Sequence, residues 1–302
     1  MIVYLKKNIC IFILIIINRL INYLTLVFMK KILIPTDFSQ HAEYALKVAA
    51  QIARKNNGEI ILLHMLELPS QAGDAVSSGH SIPEVMFFKN AAMSKLEELM
   101  DEEFLDGLKV SEVVQFEMAF DGIMEISKKN QVDLIVMGSH GASGFKEMFI
   151  GSNAEKVVRS SDVPVLIIKK EIPEFTINKF VFASDFSEEA KKPFEKAVEF
   201  ANKFDAELHL LMVNTPNSFK STIVAEEIMN EFAKGFAIKK HFTHIYNDAN
   251  VEKGILNFAK SIDADLIGMC THGRKGLSHF FNGSISEDLV NHALRPVVTF
   301  KI

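Results

Sequence analysis

One stretch of this chain occurs twice. Residues 138–152 read GSHGASGFKEMFIGS, directly after the apolar run Asp133-Leu134-Ile135-Val136-Met137. Residues 271–284 read THGRKGLSHFFNGS and follow Asp265-Leu266-Ile267-Gly268-Met269. His140 and His272, Gly151 and Gly283, and Pro164 and Pro296 are each 132 positions apart, while Asp37 and Asp185 are 148 apart. A duplication whose second copy is about 16 residues shorter, between its second strand and its glycine stretch, accounts for both offsets. The repeat constrains the fold more than any single motif, because what one copy forms the other must form too.

Each copy alternates apolar runs with amphipathic stretches, the pattern of a βαβ chain with a parallel sheet. In the first, 31–35 reads as a buried strand. Ser39 can cap a helix with an apolar face of Ala42, Ala45, Leu46, Ala49 and Ile52 or Ala53, and Asn57-Gly58 stops it. Strands follow at 60–65, 110–118, 134–137 and 163–168, helices at 85–103, 122–130 and 153–159, and a small-residue loop at 69–83. The second copy offers strands at 180–184, 207–213, 239–245, 266–269 and 297–300. There Ser187 is expected to cap a helix, with Glu188 and Glu189 in the first turn, where carboxylates suit the helix dipole. The expectation is an α/β protein of two tandem, doubly wound open parallel-sheet domains, 29–170 and 171–302, each of ordinary domain size. Right-handed crossovers give strand order 3-2-1-4-5 and a ligand crevice between the carboxyl ends of strands one and four.

The first 28 residues stand apart. Lys6 and Lys7 precede an apolar run from Ile9 to Ile17, which is too short to span a bilayer and has no small-x-small cleavage site after it. Asn18, Arg19 and Asn22 interrupt its extension, and Met29 would make an ordinary start for the first strand. Three readings compete for 1–28: upstream sequence ahead of a start at Met29, a membrane anchor, or a cleaved signal. The net charge of −5 comes from dispersed residues, which argues against a nucleic-acid partner. Two cysteines, Cys10 and Cys270, without a CxxC pair, point to a reducing compartment and hence the cytoplasm, the alternative being membrane attachment through 1–28. His241 and His244 are the closest histidine pair, but a spacing of three along a strand puts them on opposite faces, which is poor for a metal.

Two segments should open into the first crevice: Pro35, Thr36 and Asp37 leaving strand one, and Gly138 to Gly141 leaving strand four. Glycine lets backbone approach a ligand. Gly151 and Ser152 precede a helix starting at Asn153, whose first N–H groups lack partners and carry partial positive charge. N–H groups, a hydroxyl and close backbone access suit a phosphate chain. Ionised Asp37 only accepts hydrogen bonds, so it suits adenine or ribose donors, or a Mg²⁺ bridging to phosphate. The plain alternative is that Asp37 and Asp185 organise the turn before a helix. Likewise the glycines of 138–144 could be turn punctuation. His140 and His272 recur without a second acid or base, which favours loop packing or hydrogen bonding over catalysis. Met137 and Met269 read as core, and Cys270 as a small buried side chain, with a redox role as the alternative.

These residues resemble the nucleotide-binding branch of the universal stress protein family. Its signature is Gly, two residues, Gly, nine residues, then Gly followed by Ser or Thr. Gly138, Ser139-His140, Gly141, the nine residues 142–150 and Gly151-Ser152 match it without a gap. The flanking Pro35-Thr36-Asp37 and the closing Val163-Pro164-Val165-Leu166-Ile167-Ile168 are also similar, and the resemblance covers 29–302. It implies an adenine-nucleotide-hydrolase-like fold that binds ATP, with Mg²⁺. Asp37 and the Met65 backbone would meet the adenine end, Gly138 would lie near the ribose, and Gly141, Gly151 and Ser152 would hold phosphates. In the second copy Cys270 replaces the first glycine, while Asp185, Val213, Gly273, Gly283 and Ser284 stand at the matching places. A cysteine there would be expected to block the ribose or to lose the required backbone angle, which speaks against ATP binding in the second half.

No GxxxxGK[ST], GxSxG elbow or kinase motif set is present, so slow ATP hydrolysis is the most the motifs allow. An enzyme of the related adenine-nucleotide hydrolase-like group is a third alternative, which would need turnover with a synthetase-type substrate; two functions lead. In one, the protein is a stress-response switch in which ATP acts on the loop 142–150 and so on a surface read by unknown protein partners. In the other it is a nucleotide-independent scaffold. The resemblance implies that the two halves pair through their last strands, 163–168 against 297–300, and leaves a homodimer of whole chains open.

Overall fold

The computed structural model describes residues 29–66, 82–139, 150–271 and 283–302. Residues 1–28, most of the loop expected over 69–83, and His140, Gly141, His272 and Gly273 lie outside the described residues.

The first half runs β1 (Lys31–Pro35), α1 (Gln40–Asn56), β2 (Glu59–Met65), α2 (Ile82–Met100), β3 (Lys109–Gln115), α3 (Ala119–Lys129), β4 (Leu134–Gly138), α4 (Ser152–Ser160) and β5 (Val165–Ile168). The second repeats the order with β6 (Lys179–Ala183), α5 (Lys191–Phe204), β7 (Glu207–Asn214), α6 (Thr222–Ala233), β8 (His241–Asn247), α7 (Val251–Ser261), β9 (Leu266–Thr271), α8 (Gly283–His292) and β10 (Val297–Lys301). The residues lost from the second copy fall between its second and third strands, where α2 has 19 residues and α6 has 12.

All the strands join one sheet, in the order β3-β2-β1-β4-β5-β10-β9-β6-β7-β8. Each half has the order 3-2-1-4-5, with parallel pairing throughout. The halves meet where β5 and β10 pair antiparallel, Val298 opposite Leu166. Alternate side chains enter two apolar layers. Ile32 and Ile34 of β1 face the layer of α1 and α5, and Leu33 faces that of α3, α4, α7 and α8. Burial on both sides explains why the strands read as unbroken apolar runs. Each layer continues through both halves, so the ten strands share one core.

Local signals place α1 well. The Ser39 side chain accepts from the Ala42 N–H, and Asn57, at φ 49°, closes the helix in the left-handed conformation with its own N–H on the Ala53 carbonyl. The counterpart, Ser187, departs from expectation: it makes no side-chain cap bond and precedes a short 3₁₀ turn, Glu188–Ala190, so that α5 begins only at Lys191. β3 ends at Gln115, short of Met118, because Met118 is the extended residue that starts α3.

Candidate functional site

The switch point lies between β1 and β4, which pair at Ile32–Leu134 and Leu33–Ile135. Their carboxyl ends open into a cavity of about 320 Å³, within the usual size range of a small-molecule site. It brings together Pro35, Thr36 and Asp37 after β1, Met65 at the end of β2, Gly138 at the end of β4, and Gly151, Ser152 and Asn153 at the start of α4. Sequence reasoning missed the apolar lining of Leu63, Ala119 and Ile123, and the lining residue Ser139. Ser139 already sat inside the glycine stretch; the others gave no signal beyond their apolar character.

The turn after β1 is built from side-chain acceptors. Thr36 Oγ1 accepts from the Phe38 N–H at 3.1 Å, and Asp37 Oδ1 from the Ser39 N–H at 3.1 Å. Phe38 is held at φ 62°, a backbone conformation that a bulky residue adopts only when its surroundings enforce it. His64 contributes by hydrogen bonding through Nδ1 to the Thr36 carbonyl at 2.8 Å, with its ring centroid 4.5 Å from that of Phe38. Asp37 therefore fulfils the turn-organising reading and also lines the cavity.

On the opposite wall, α4 starts from Gly151, which has no side chain to cap the helix, and no side-chain cap bond forms. The first residues of α4, the exposed Ser152 with Asn153 and Ala154, line the cavity. The Gly151 N–H is itself fixed on the Ser139 carbonyl at 2.7 Å, tying the start of α4 to the end of β4. An uncapped helix start carrying partial positive charge is suited to an anion.

Gly138 is required for packing. A Cβ there would lie 2.6 Å from the His41 carbonyl carbon and 2.9 Å from the Ala42 backbone nitrogen. What the glycine admits is the first turn of α1. The second half has Cys270 at this place, and there the residues matching His41 and Ala42 lie in the 3₁₀ turn ahead of a later helix. Cys270 is 3% exposed and belongs to the apolar layer with Phe182 and Phe300. It does not line the small cavity beside Asp185. Burial pushes its thiol well above the ordinary range, as befits an inert core side chain.

The second crevice differs from the first in other ways. Its turn is intact: Ser184 does the work of Thr36, accepting from the Phe186 N–H at 3.0 Å, and Asp185 accepts from Ser187 at 3.1 Å. The cavity lined by Ser184, Asp185 and Val213, however, is only about 20 Å³, and the wider space beside it, about 630 Å³, lies outward of Val251, lined by Ser218, Asn250, Ile285 and Asp288. Val251 stands where the first half has Ala119, and the buried Asn214 side chain bonds the Lys220 N–H and carbonyl, drawing the shortened connection after β7 across the opening. In the helix α8, Asp288 stands where α4 has the exposed Lys156, reversing the charge near Gly283 and Ser284.

Outside the crevices, His209 Nδ1 and His244 Nε2 lie 2.9 Å apart between β7 and β8, a pair that neither residue's sequence neighbours reveal. Among the described residues no group of three or more His, Cys, Asp or Glu side chains is arranged to hold a metal ion. No described helix is long and apolar enough to cross a membrane.

The sequence matches the universal stress protein family over residues 29–169 and 176–301. A universal stress protein of Methanocaldococcus jannaschii is 33% identical over 158 residues, covering 47% of this chain and 96% of that one. Another, from Synechocystis, is 24% identical over 300 residues, covering 90% of this chain and 100% of that one. The crystal structure of a universal stress protein from Archaeoglobus fulgidus superposes with a TM-score of 0.68 at 26% identity, covering 91% of this chain and 97% of the other.

Proposed function

This chain belongs to the universal stress protein family, and from that premise we propose that its first half binds ATP and acts in the stress response as a nucleotide-dependent switch or partner-binding protein. The observation that carries the reading is the meeting, in one cavity of about 320 Å³, of the Asp37 carboxylate, an apolar lining and the uncapped start of α4. The phosphates lie toward Gly151, Ser152 and Asn153, where backbone N–H groups and a hydroxyl can donate. The base lies toward Leu63, Met65 and Ile123, with Asp37 accepting from an adenine or ribose donor. Asp37 is the only carboxylate among the described lining residues, so Mg²⁺ fits as an ion that arrives on the phosphates, keeping most of its other ligands as water. The second half binds no nucleotide, and the cytoplasm is the compartment we assign.

The test is to purify the full chain, denature it and quantify released nucleotide per chain, then titrate stripped protein with Mg-ATP. About one nucleotide per chain is expected. Two would overturn the reading of the second half. None released and no heat of binding would sink the nucleotide reading altogether. The β5–β10 pairing, which makes the halves one sheet, favours the scaffold as the second reading. A scaffold would keep its partners in a pull-down whether or not ATP is added.

A further inference from the structure

The wall of the first-half cavity is held in part by the second half. The Ile150 N–H, immediately before Gly151, donates to Asn291 Oδ1 of α8 at 2.6 Å, in a buried contact between residues 141 apart in sequence. Asn291 is 9% exposed, and its own carbonyl takes a bond from Lys169 Nζ, just after β5, at 2.5 Å. α8 packs against α4 along this seam, with Val290 of one beside Val158 of the other. The backbone at 150–151 is therefore pinned at two successive N–H groups: Gly151 to Ser139 within the half, and Ile150 to Asn291 across the seam.

The reciprocal contact is chemically unavailable. The residue matching Asn291 in the repeat is Arg159 of α4, and the one matching Ile150 is Asn282, which lies outside the described residues. A guanidinium has donors and no acceptor, so Arg159 cannot receive a backbone N–H as Asn291 does. Among the described residues its buried Nε has no hydrogen-bond partner.

We propose that Asn291 is a positioning residue for the first-half site, so that the second half serves as a built-in subunit that fixes the backbone leading into Gly151 and α4. The support runs in one direction: the second half holds the first half's cavity in shape. This rests on the nucleotide reading above for its functional consequence, but the positioning itself does not need a ligand. A free amide at Ile150 would leave the start of α4 without its second anchor, and donors must be fixed in place for close contact with phosphate.

The experiment compares full-length wild type with Asn291→Leu, which removes the acceptor, and Asn291→Asp, which keeps one beside Lys169. Amide hydrogen exchange is followed at Ile150 and Gly151 without nucleotide, and Mg-ATP affinity is measured by calorimetry. Asn291→Leu should speed exchange at Ile150 and weaken ATP binding about tenfold, and Asn291→Asp should restore both. Unchanged exchange at Ile150 in Asn291→Leu overturns the proposal. So does unchanged affinity where wild type binds ATP. If wild type binds no ATP, the nucleotide reading fails while the exchange data still decide the positioning. Should Asn291→Leu not fold, faster exchange in Asn291→Ser, whose shorter side chain cannot reach, carries the test, and wild-type exchange there overturns it.

Discussion

Asp133 Oδ2 accepts the backbone N–H of Lys31 at 2.9 Å and that of Lys30 at 2.8 Å, so the residue before β4 fastens the start of β1 beside it. The second half repeats the clamp, Asp265 Oδ2 accepting from Lys179 at 2.9 Å and Asn178 at 2.8 Å. These carboxylates set the register of the two strands between which each crevice opens. Asp133→Ala should cost about 1–3 kcal/mol by leaving two backbone donors unpaired. Urea unfolding measures it, and wild-type stability in the variant would dismiss the clamp.

The same residue carries a pH signature. Burial raises the Asp133 carboxyl above its ordinary value, outweighing the bonds from Lys31 and Lys30 that lower it. A carboxyl with a raised folded pKa contributes stability that is fully present below its unfolded value and is lost as pH climbs through the folded one. Asn at this position accepts without ionising. Asp133→Asn should therefore gain on wild type between about pH 4 and pH 7. A constant difference in unfolding free energy across that range would contradict the assignment.

At the edge of the second half, burial lowers both His209 and His244, and the neighbouring His209 lowers His244 further. A second proton on the pair would set N–H against N–H across the 2.9 Å contact. Depressed histidines favour the neutral fold, so their contribution is present above the unfolded value near about 6.5 and is lost as pH falls through the folded values. Denaturant midpoints should fall from about pH 7.5 to 5, and the double variant His209→Leu, His244→Leu should flatten that fall. An unchanged slope would mean that the pair stays neutral throughout.

For the nucleotide site, Asp37→Ala and Gly151→Glu should each abolish the rise in Tm produced by Mg-ATP. The first removes the acceptor, and the second brings a carboxylate to the helix start where phosphate would sit. Asp37→Ala should also lower the ligand-free stability by about 1 kcal/mol, since the Ser39 N–H loses its partner. A full thermal shift in both variants would place the ligand elsewhere.

Cys270 should resist alkylation by iodoacetamide in the native protein and react fully in urea, as peptide mapping by mass spectrometry can show. Cys270→Gly should leave the nucleotide count per chain unchanged, because Val251 and the chain held on Asn214, not the cysteine, line the narrow cavity beside Asp185. A second nucleotide in that variant would reinstate the cysteine as the obstruction.

The sequence alone determined the duplication, the strand order and the family, because short apolar runs, helix stops such as Asn57 and glycine spacings are properties of neighbouring residues. It also named Asp37, Gly138 and Gly151, which the cavity brings together, because turns and helix starts are written locally. Tertiary structure decided the rest. That Gly138 makes room for His41, that Cys270 turns into the core, and that the second cavity shrinks to about 20 Å³ depend on where helices settle on the sheet. The His209–His244 and Ile150–Asn291 contacts join residues 35 and 141 positions apart, and no local pattern encodes them. The first exists because β7 and β8 lie side by side and the second because the two halves join in one ten-stranded sheet, where distance along the chain ceases to measure distance in space.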